Sequence, residues 1–293
     1  MKVIVIGIDG LEYEHVIKYR LQNLMLAQYG KTDLSDFNLV VTPLIWSSFL
    51  TGEINRYMIG TFVKSYKFRS TFLWSMARIL IKKAKSSLPA FIRKPLDKLQ
   101  IKITTNPMRK TSSYLKNHNV RTILEEFKSW YITIPGYNHE WDTYSSLLMT
   151  RAVEEFTRTG KFGKACMEYE KYTINDYLQR KKMFLNSLKE DYQFWFFYTD
   201  LIDALLHLFI SDKLRVMRYY YEADRFVGEV RKLSPSDAMI FVISDHGMKQ
   251  KGRLGDHSDH GFWSSSIYID NFSSPKPADF YYLWKKILEG EKV

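Results

Sequence analysis

A chain of 293 residues with 45% apolar residues is long enough to bury a large core, which argues against an intrinsically disordered protein. The 43 Lys and Arg residues exceed the 32 Asp and Glu residues, and the net charge of +11 favours a partner such as a phosphate compound, a nucleic acid or an anionic membrane surface. A single cysteine, Cys166, excludes an internal disulfide and a thiolate metal site. It favours a reducing compartment, so we expect a cytoplasmic protein.

The first residues, MKVIVIGIDG, are apolar only as far as Asp9, and no small-residue cleavage site follows. We therefore predict a buried first strand and no signal peptide. No window approaches the roughly 18 uncharged apolar residues of a membrane-spanning helix. Residues 71–116 interleave apolar side chains with Lys and Arg, which is most typical of a solvated basic face; peripheral membrane contact through this segment is the alternative.

The predicted elements of the first 55 residues follow a strand and helix plan. The continuous β-branched run Val3–Ile8 predicts a strand buried on both faces. A helix over Tyr13–Gln28 follows, and then a second strand over Asn38–Val41. Thr42 is predicted as the N-cap of a short helix, with Pro43 at the first helical position.

The middle of the chain departs from this plan. Residues 78–116 carry eleven Lys or Arg residues against one acid, Asp97, and three prolines interrupt them. We interpret residues 56–128 as a basic, mainly helical insertion within a single domain that spans residues 1–293.

The second half returns to alternating elements, which indicates an α/β fold with a mostly parallel central sheet and helices on both faces. Strands are predicted over Trp130–Ile134, Tyr192–Asp200, AMIFVIS from Ala238 and SSSIYI from Ser264, and helices over Thr150–Lys189, DALLHLF from Asp203, Lys213–Leu233 and Phe280–Leu288.

Reactive polar residues follow four of the predicted strands. In such a sheet, ligands bind outside the carboxyl ends of the strands, so we expect these side chains to converge on one edge. They are Asp9, Thr42, the group Asp200, Asp203 and His207, and the pair Asp245 and His246.

Carboxylates and imidazoles without thiolates suit Zn²⁺, Mn²⁺ or Fe. Asp203 and His207 are four residues apart, so on a helix they share one face. Asp245 and His246 are adjacent and both reach a cation only from an irregular loop. Two such groups together with Asp9 predict two metal ions, the arrangement that serves in-line phosphoryl displacement.

Thr42 is the candidate nucleophile for such a reaction. It ends a predicted strand and opens a helix whose N-terminal N–H groups favour an anionic substrate, and a metal ion would lower the pKa of its hydroxyl. Ser47 and Ser48 lie inside the same predicted helix and are poorer candidates.

The motifs IGIDG, VTPLIWSSFLTG, TDLIDALLH, ISDHGM and GDHSDHGFW, in this order, resemble the alkaline phosphatase superfamily. Within it they are most similar to the type I phosphodiesterase/nucleotide pyrophosphatase branch, including its compact archaeal-type members. The resemblance covers both ends of the chain, whereas residues 56–189 match only loosely, at IPGYN. Members have an α/β core, two metal ions, usually zinc, and a Thr or Ser nucleophile. The stretch Thr42 to Ser48 resembles the family's T-x-P-A-W-T-S motif, which implies Thr42 as the nucleophile.

The resemblance also implies two ligand sets. One metal ion would be held by Asp9, Asp245 and His246, with Thr42 as an added ligand, and the other by Asp203, His207 and a late histidine. In the family this histidine usually follows a Gly-x pair and often precedes a glycine by four residues. His257 satisfies both conditions and is the predicted ligand. His260 satisfies neither and is predicted to lie behind the ligands or on the surface, with displacement of His257 as the alternative.

Four further residues are predicted to lie outside the site. Asp200 is interpreted as a strand-end or capping residue, with replacement of Asp203 as the alternative. His15, His118 and His139 have no partner pattern and are assigned to the surface or the core. The chain also departs from the family, because the proline expected two residues after the nucleophile stands at Pro43. The family's oxyanion-binding side chain, often an Asn after the nucleophile, has no match.

These observations predict a two-metal hydrolase of phosphoric esters, a phosphodiesterase or nucleotide pyrophosphatase that acts through a covalent phospho-threonine. Zn²⁺ is the expected metal and Mn²⁺ the alternative. The expected substrate is a small phosphate ester, with a nucleotide or a lipid headgroup among the candidates. The sequence carries no signature of a nucleic-acid-binding module. A phosphomonoesterase or another hydrolase of the superfamily is the alternative function, and a polyanion- or membrane-binding protein on the same scaffold is the non-enzymatic alternative.

Overall fold

The structure is a computed structural model that describes residues 1–60, 113–140 and 142–291. Its strands, in chain order, are β1 Lys2–Ile8, β2 Gln28–Asp33, β3 Ser129–Tyr131, β4 Phe194–Thr199, β5 Ala238–Ile243, β6 Met248–Lys251, β7 Leu254–His257 and β8 His260–Ser265. Its helices are α1 Tyr13–Lys18, α2 Thr42–Thr51, α3 Tyr114–Asn117, α4 Ile123–Glu126, α5 Thr143–Thr159, α6 Lys164–Ser187, α7 Leu201–Phe209, α8 Lys213–Leu233 and α9 Pro277–Glu289.

Six of these strands form the central sheet in the order β2-β8-β5-β1-β4-β3, while β6 and β7 form a separate hairpin. Strand β1 lies in the middle and pairs in parallel with both β4 and β5, and β3 pairs in parallel with β4. Strand β8 pairs antiparallel with β5 and β2, so it alone runs against the others. The predicted mostly parallel sheet is confirmed.

Helices cover both faces of the sheet, as predicted. Successive side chains of a strand point to opposite faces. Ile4 and Ile6 of β1 therefore pack into one apolar cluster with residues of α6, α7 and α8. Val3 and Val5 pack into a second cluster with residues of α2 and α9. Burial on both faces explains why β1 is apolar at every position after Lys2 apart from Gly7.

The first half of the chain contains two corrections. The predicted helix over Tyr13–Gln28 is wrong beyond Lys18, since Arg20 has a φ of 52° that a helix does not allow, and residues 28–33 form β2 instead. The predicted strand over Asn38–Val41 is absent, because these residues pair with no neighbouring strand. Val41 is the N-cap of α2 and Thr42 is its first helical residue, so the prediction of Thr42 as N-cap is wrong by one position.

The second half agrees more closely, and α8 has the predicted bounds. The single helix predicted over Thr150–Lys189 is two helices, since α5 ends at Gly160, with a φ of 69°, and α6 begins after Gly163. The strand predicted from Ser264 lies earlier and ends at Ser265.

The segment interpreted as an insertion lies largely outside the described residues, between residues 61 and 112, and so does most of the segment considered for membrane contact. Among the helices that the structure describes, none combines the length and the apolar content needed to cross a membrane.

Candidate metal and active site

The carboxyl ends of three neighbouring strands carry the central acidic residues of the site. In the parallel register, Ile8 of β1 lies opposite Thr199 of β4, and Gly7 lies opposite Ile243 of β5. Asp9 therefore leaves the sheet beside the start of α7 and beside the loop after β5, which carries Asp245. The structure brings polar side chains together at this edge, as expected.

Gly10 brings the first two carboxylates together. The backbone N–H of Asp203, in the first turn of α7, donates to the carbonyl of Asp9 at 3.1 Å. A Cβ at Gly10 would lie 2.8 Å from Asp203 Cα, and the φ of Gly10 is 74°, which favours glycine. Helix α7 can pack this closely on the end of β1 only because residue 10 has no side chain.

One group of ligand-type atoms consists of Asp9, Asp245 and His246. His246 Nε2 lies 3.3 Å from Asp9 Oδ1 and 3.4 Å from Asp245 Oδ2, and all three side chains are buried. The hydroxyl of Thr42, at the start of α2, lies 3.5 Å from the same nitrogen. The structure thus places the candidate nucleophile beside this group.

A second group adjoins the first. Asp203 Oδ1 lies 3.2 Å from His207 Nε2 and 3.5 Å from His257 Nε2, and the two imidazole nitrogens are 3.2 Å apart. His246 Nε2 is 4.0 Å from Asp203 Oδ1, so it lies between the groups. All seven side chains predicted to hold metal ions are therefore in one place, and their roles as ligands stay predictions.

Two of the imidazoles are oriented by backbone carbonyls. His207 Nδ1 lies 3.2 Å from the carbonyl oxygen of Gly255, and His246 Nδ1 lies 3.1 Å from that of Gly247. A carbonyl can only accept a hydrogen bond, so each Nδ1 carries a proton in these contacts. In the neutral ring the lone pair is then on Nε2, which faces the carboxylates.

His260 lies apart from these groups. Its Nε2 is 2.9 Å from Glu12 Oε1 and 3.3 Å from Glu14 Oε2. Ser258 Oγ donates to Glu12 Oε2 at 2.5 Å. Glu12, Glu14 and His260 also form a group of ligand type, yet these contacts occupy both oxygens of Glu12. Sequence reasoning missed Glu12, because an acid at the start of a helix is ordinarily explained by the helix dipole.

Asp200 does not replace Asp203. Its Oδ1 lies 2.8 Å from Arg180 Nη2, and its side chain makes no capping hydrogen bond to α7. The neighbouring Tyr198 does contact the site, because its hydroxyl donates to Asp9 Oδ2 at 2.7 Å. Neither Tyr198 nor Arg180 was predicted as a site residue, since each sits in an apolar or mixed-charge pattern typical of a buried strand or a helix.

The carboxyl and imidazole groups of the site have shifted pKa values because they are buried away from water and lie close to one another. Burial raises the pKa of Asp9 well above its usual value and that of Asp245 to about 7. The Asp203 carboxylate raises the pKa of His207 to about 9. Burial would raise the pKa of Asp203 itself, but the positive charge of His207 outweighs it and the pKa is lowered. Burial lowers the pKa of His257 to about 4.

Three buried carboxylate oxygens of the site, Asp9 Oδ1 and both oxygens of Asp245, make no hydrogen bond among the described residues, and Asp203 Oδ1 faces the imidazoles of His207 and His257. An unpaired buried carboxylate is costly, and positive charge is what would compensate it. With the Nε2 lone pairs of His207 and His246, these oxygens form an O and N donor set without sulfur. The residues present therefore fit divalent ions such as Zn²⁺ or Mn²⁺.

A cleft of about 500 Å³ opens on this site. Asp9, Thr42 and Asp203 line it, together with His139 from the loop after β3 and Arg180 from α6. A substrate in the cleft would thus reach the candidate nucleophile and the predicted metal ligands from one side.

The sequence matches the family model described as type I phosphodiesterase / nucleotide pyrophosphatase over residues 103–262, more than half of the chain. A comparison with curated proteins returns no match. Among solved structures, murine ectonucleotide pyrophosphatase / phosphodiesterase 5 is similar with a TM-score of 0.39 and 11% sequence identity. The likeness covers 86% of this chain and 59% of that chain, so the present chain spans less than two thirds of the chain it is compared with.

Proposed function

Because the chain belongs to the type I phosphodiesterase/nucleotide pyrophosphatase family, we propose that it is a two-metal hydrolase of phosphoric esters with Thr42 as its nucleophile. The observation that carries the proposal is the meeting of the Thr42 hydroxyl, 3.5 Å from His246 Nε2, with buried carboxylate oxygens that have no donor in the described chain. The buried carboxylates need a compensating positive charge, and the Thr42 hydroxyl lies beside the place where a metal ion would supply it.

The ligands would fall into two sets. Asp9, Asp245 and His246, with Thr42 as an added ligand, would hold one ion, and Asp203, His207 and His257 would hold the other. Bound there, Zn²⁺ or Mn²⁺ would supply the positive charge that stabilises the entering and departing oxygens at phosphorus.

Thr42 is oriented for attack by its place in α2. It is the first residue of a ten-residue helix, and the positive end of the helix dipole favours an anionic phosphoryl oxygen there, although Pro43 has no N–H and those of Leu44 and Ile45 donate to the Val41 carbonyl. As the bond from Oγ1 to phosphorus forms, the ester bond to the leaving alcohol breaks, and the hydroxyl proton ends on that alcohol. Water then attacks the phospho-threonine, which restores Thr42 and releases the remaining phosphate ester.

A diester or pyrophosphate is the preferred substrate class on the strength of the family match, and a monoester is the alternative. The two are separated by hydrolysis of bis(4-nitrophenyl) phosphate and 4-nitrophenyl phosphate by protein loaded with Zn²⁺ or Mn²⁺. We expect the diester to be the faster substrate. The proposal would be overturned if protein that has been incubated with Zn²⁺ or Mn²⁺ hydrolyses neither compound and retains no metal.

The role of Thr42 is tested by Thr42→Ala, Thr42→Ser and the control Thr51→Ala at the other end of α2. We expect Thr42→Ala to lower kcat by about 10³-fold or more, because it removes the attacking atom, while Thr42→Ser keeps partial activity. Metal content should stay near that of the wild type, since three ligands of the first set remain. Full activity in Thr42→Ala would remove the nucleophile assignment and leave the hydrolase proposal standing.

A further inference from the structure

The cleft beside Thr42 extends away from the predicted metal ligands. Its further lining comes from the loop after β3, from Asp142 at the N-cap of α5 and from Asp176 and Arg180 of α6. A volume of about 500 Å³ is far larger than a phosphoryl group requires. The cleft therefore has room for one of the two groups esterified to phosphorus.

His139 is fixed in this cleft by the loop that carries it. A Cβ at Gly136 would lie 2.5 Å from the carbonyl oxygen of Pro43, so the loop packs directly on the residue after Thr42. Ser113 Oγ donates to the carbonyl of His139 at 2.7 Å, and the imidazole stands edge-on to Tyr198 with ring centroids 6.4 Å apart. These contacts hold the ring beside the strand end next to Asp9.

The protonation of the ring follows from its surroundings. His139 Nδ1 is buried and has no hydrogen-bond partner, and Nε2 makes no hydrogen bond within the part of the chain that the structure describes. Burial lowers the pKa of His139, so the ring is neutral at neutral pH. A buried N–H without an acceptor is rarer than a buried lone pair. We therefore assign the proton to Nε2, which is then a donor without an acceptor among the described residues.

We propose that this cleft binds the alcohol substituent that stays on phosphorus, and that His139 Nε2 donates a hydrogen bond to an oxygen of that substituent. The inference rests on the proposed function and assigns a substrate contact that the sequence pattern did not reveal.

The charges around the cleft define the chemical class of the substituent. Arg180 is the sole Lys or Arg among the described residues that line the cleft. Its guanidinium already contacts Asp176 and, at 2.8 Å, Asp200, so its charge is balanced. Asp142 adds a further carboxylate. The net negative charge of the cleft would repel a substituent that carries a second phosphate, whereas it would not repel an uncharged, hydroxyl-bearing group.

The test uses two diesters that share one leaving group, 4-nitrophenolate. In thymidine 5′-(4-nitrophenyl) phosphate the substituent is large and carries oxygens, and in methyl 4-nitrophenyl phosphate it carries no oxygen beyond the ester link to which His139 could donate. The variants are His139→Phe, which keeps a ring and removes the donor, and His139→Gln, whose amide nitrogen can replace Nε2. His118→Phe, at an exposed histidine next to α3, is the control.

We expect His139→Phe to lower kcat/KM about 10-fold or more for the thymidine ester, mainly through KM, and to leave the methyl ester nearly unchanged. His139→Gln should recover most of the loss, and His118→Phe should have no effect. An equal loss on both esters would mean that His139 acts only on the fold, and no loss on the thymidine ester would mean that it does not contact substrate. Either result overturns the inference.

A binding measurement separates this inference from the hydrolase proposal. Metal-loaded Thr42→Ala protein is titrated calorimetrically with thymidine 5′-monophosphate, with and without His139→Phe. We expect a weaker Kd, about 10-fold, in the double variant. If the wild type hydrolyses neither ester, the proposed function is wrong. If the Kd is unchanged in the double variant, the assignment of His139 is wrong whether or not the protein is an enzyme.

Discussion

Glu12 Oε1 lies 2.9 Å from His260 Nε2, and the other oxygen of the same carboxylate accepts a hydrogen bond from Ser258 Oγ. The loop after His246 presses on this group as well, because a Cβ at Gly247 would lie 2.4 Å from Glu12 Oε2. Gly247 donates its N–H to the carbonyl of His260 at 2.8 Å. One buried carboxylate thus joins the two loops that follow His246 and His257.

This contact predicts that Glu12 controls metal affinity without touching a metal ion. We expect Glu12→Ala to weaken Zn²⁺ binding by about 10- to 100-fold, because His246 and His257 lose the support that fixes their loops. Glu12→Gln should be milder, since its amide oxygen still accepts from Ser258. Competition with a chromogenic chelator measures the affinity. Glu14→Gln, an exposed neighbour that also contacts His260, is the control, and an unchanged affinity in Glu12→Ala would contradict the prediction.

The two late histidines should differ in metal stoichiometry. We expect His257→Ala to retain about one ion per chain, since it removes one of three side chains from the second set. His260→Ala should retain two ions and bind them more weakly, because His260 contacts Glu12 and lies outside both ligand groups. Atomic emission on desalted protein gives the counts. Loss of an ion in His260→Ala with two ions in His257→Ala would reverse the assignment.

Metal binding should release protons. The pKa of His207, raised to about 9 by Asp203, leaves this imidazole protonated at pH 7 in the metal-free protein, and Asp245, with a pKa of about 7, is partly protonated. A ligand must lose its proton, so His207 should release about one proton at pH 7, and Asp245 and Asp9, whose pKa values burial raises, should add to this release. Affinity should therefore rise with pH until about 9.

Calorimetry of Zn²⁺ binding in buffers of different ionisation enthalpy measures this release. His207→Ala should reduce it by about one proton. A heat that does not depend on the buffer would show that none of these groups is protonated before binding.

Gly10 provides a test of the close packing between β1 and α7. An alanine there would meet Asp203 and would need a φ of 74°, so we expect Gly10→Ala to lower the free energy of unfolding by about 3 kcal/mol and to reduce metal binding. Gly252→Ala is the control. Its φ is 64°, but nothing lies within 4 Å of an added Cβ, so the loss should be about 1 kcal/mol. Urea unfolding measures the free energy of unfolding of both variants. Equal losses would show that the close contact with Asp203 adds no cost beyond that of the backbone conformation.

The strands that could be predicted from the sequence are those whose pattern is set by burial. β1, β4 and β5 are central and nearly continuous in apolar residues, and β4 is wholly buried. α8 was also predicted with its bounds, because Pro235 follows it closely and cannot continue a helix. The motif resemblance to the phosphodiesterase family is confirmed by the family match.

The elements that failed depend on partners distant in the chain. β2 is a largely polar strand whose place is decided by antiparallel pairing with β8, and no local pattern reports that pairing. β6 carries the exposed polar residues Lys249–Lys251 and was not predicted as a strand, although it pairs with β7.

Part of the candidate site was predictable because its position in the fold could be deduced, and part, such as His257, because its motif resembles that of the family. A residue directly after a buried parallel strand must lie at the carboxyl edge, which is why Asp9 and Asp245 could be placed. Glu12, Tyr198 and His139 could not, because their contacts are made with residues far away in sequence. His139 was assigned to the surface or core for lack of a sequence partner, and its neighbours in the cleft come from β4 and α6.

The separation of Asp9 and Asp245 by 236 positions in the sequence bears on how the protein folds. These two carboxylates adjoin only when β1 has been inserted between β4 and β5, which closes loops of more than half the chain. Contacts of such long range form late and slowly. The complete ligand set therefore exists only after these long-range contacts have formed, and metal capture would mark a late stage of folding instead of guiding its beginning.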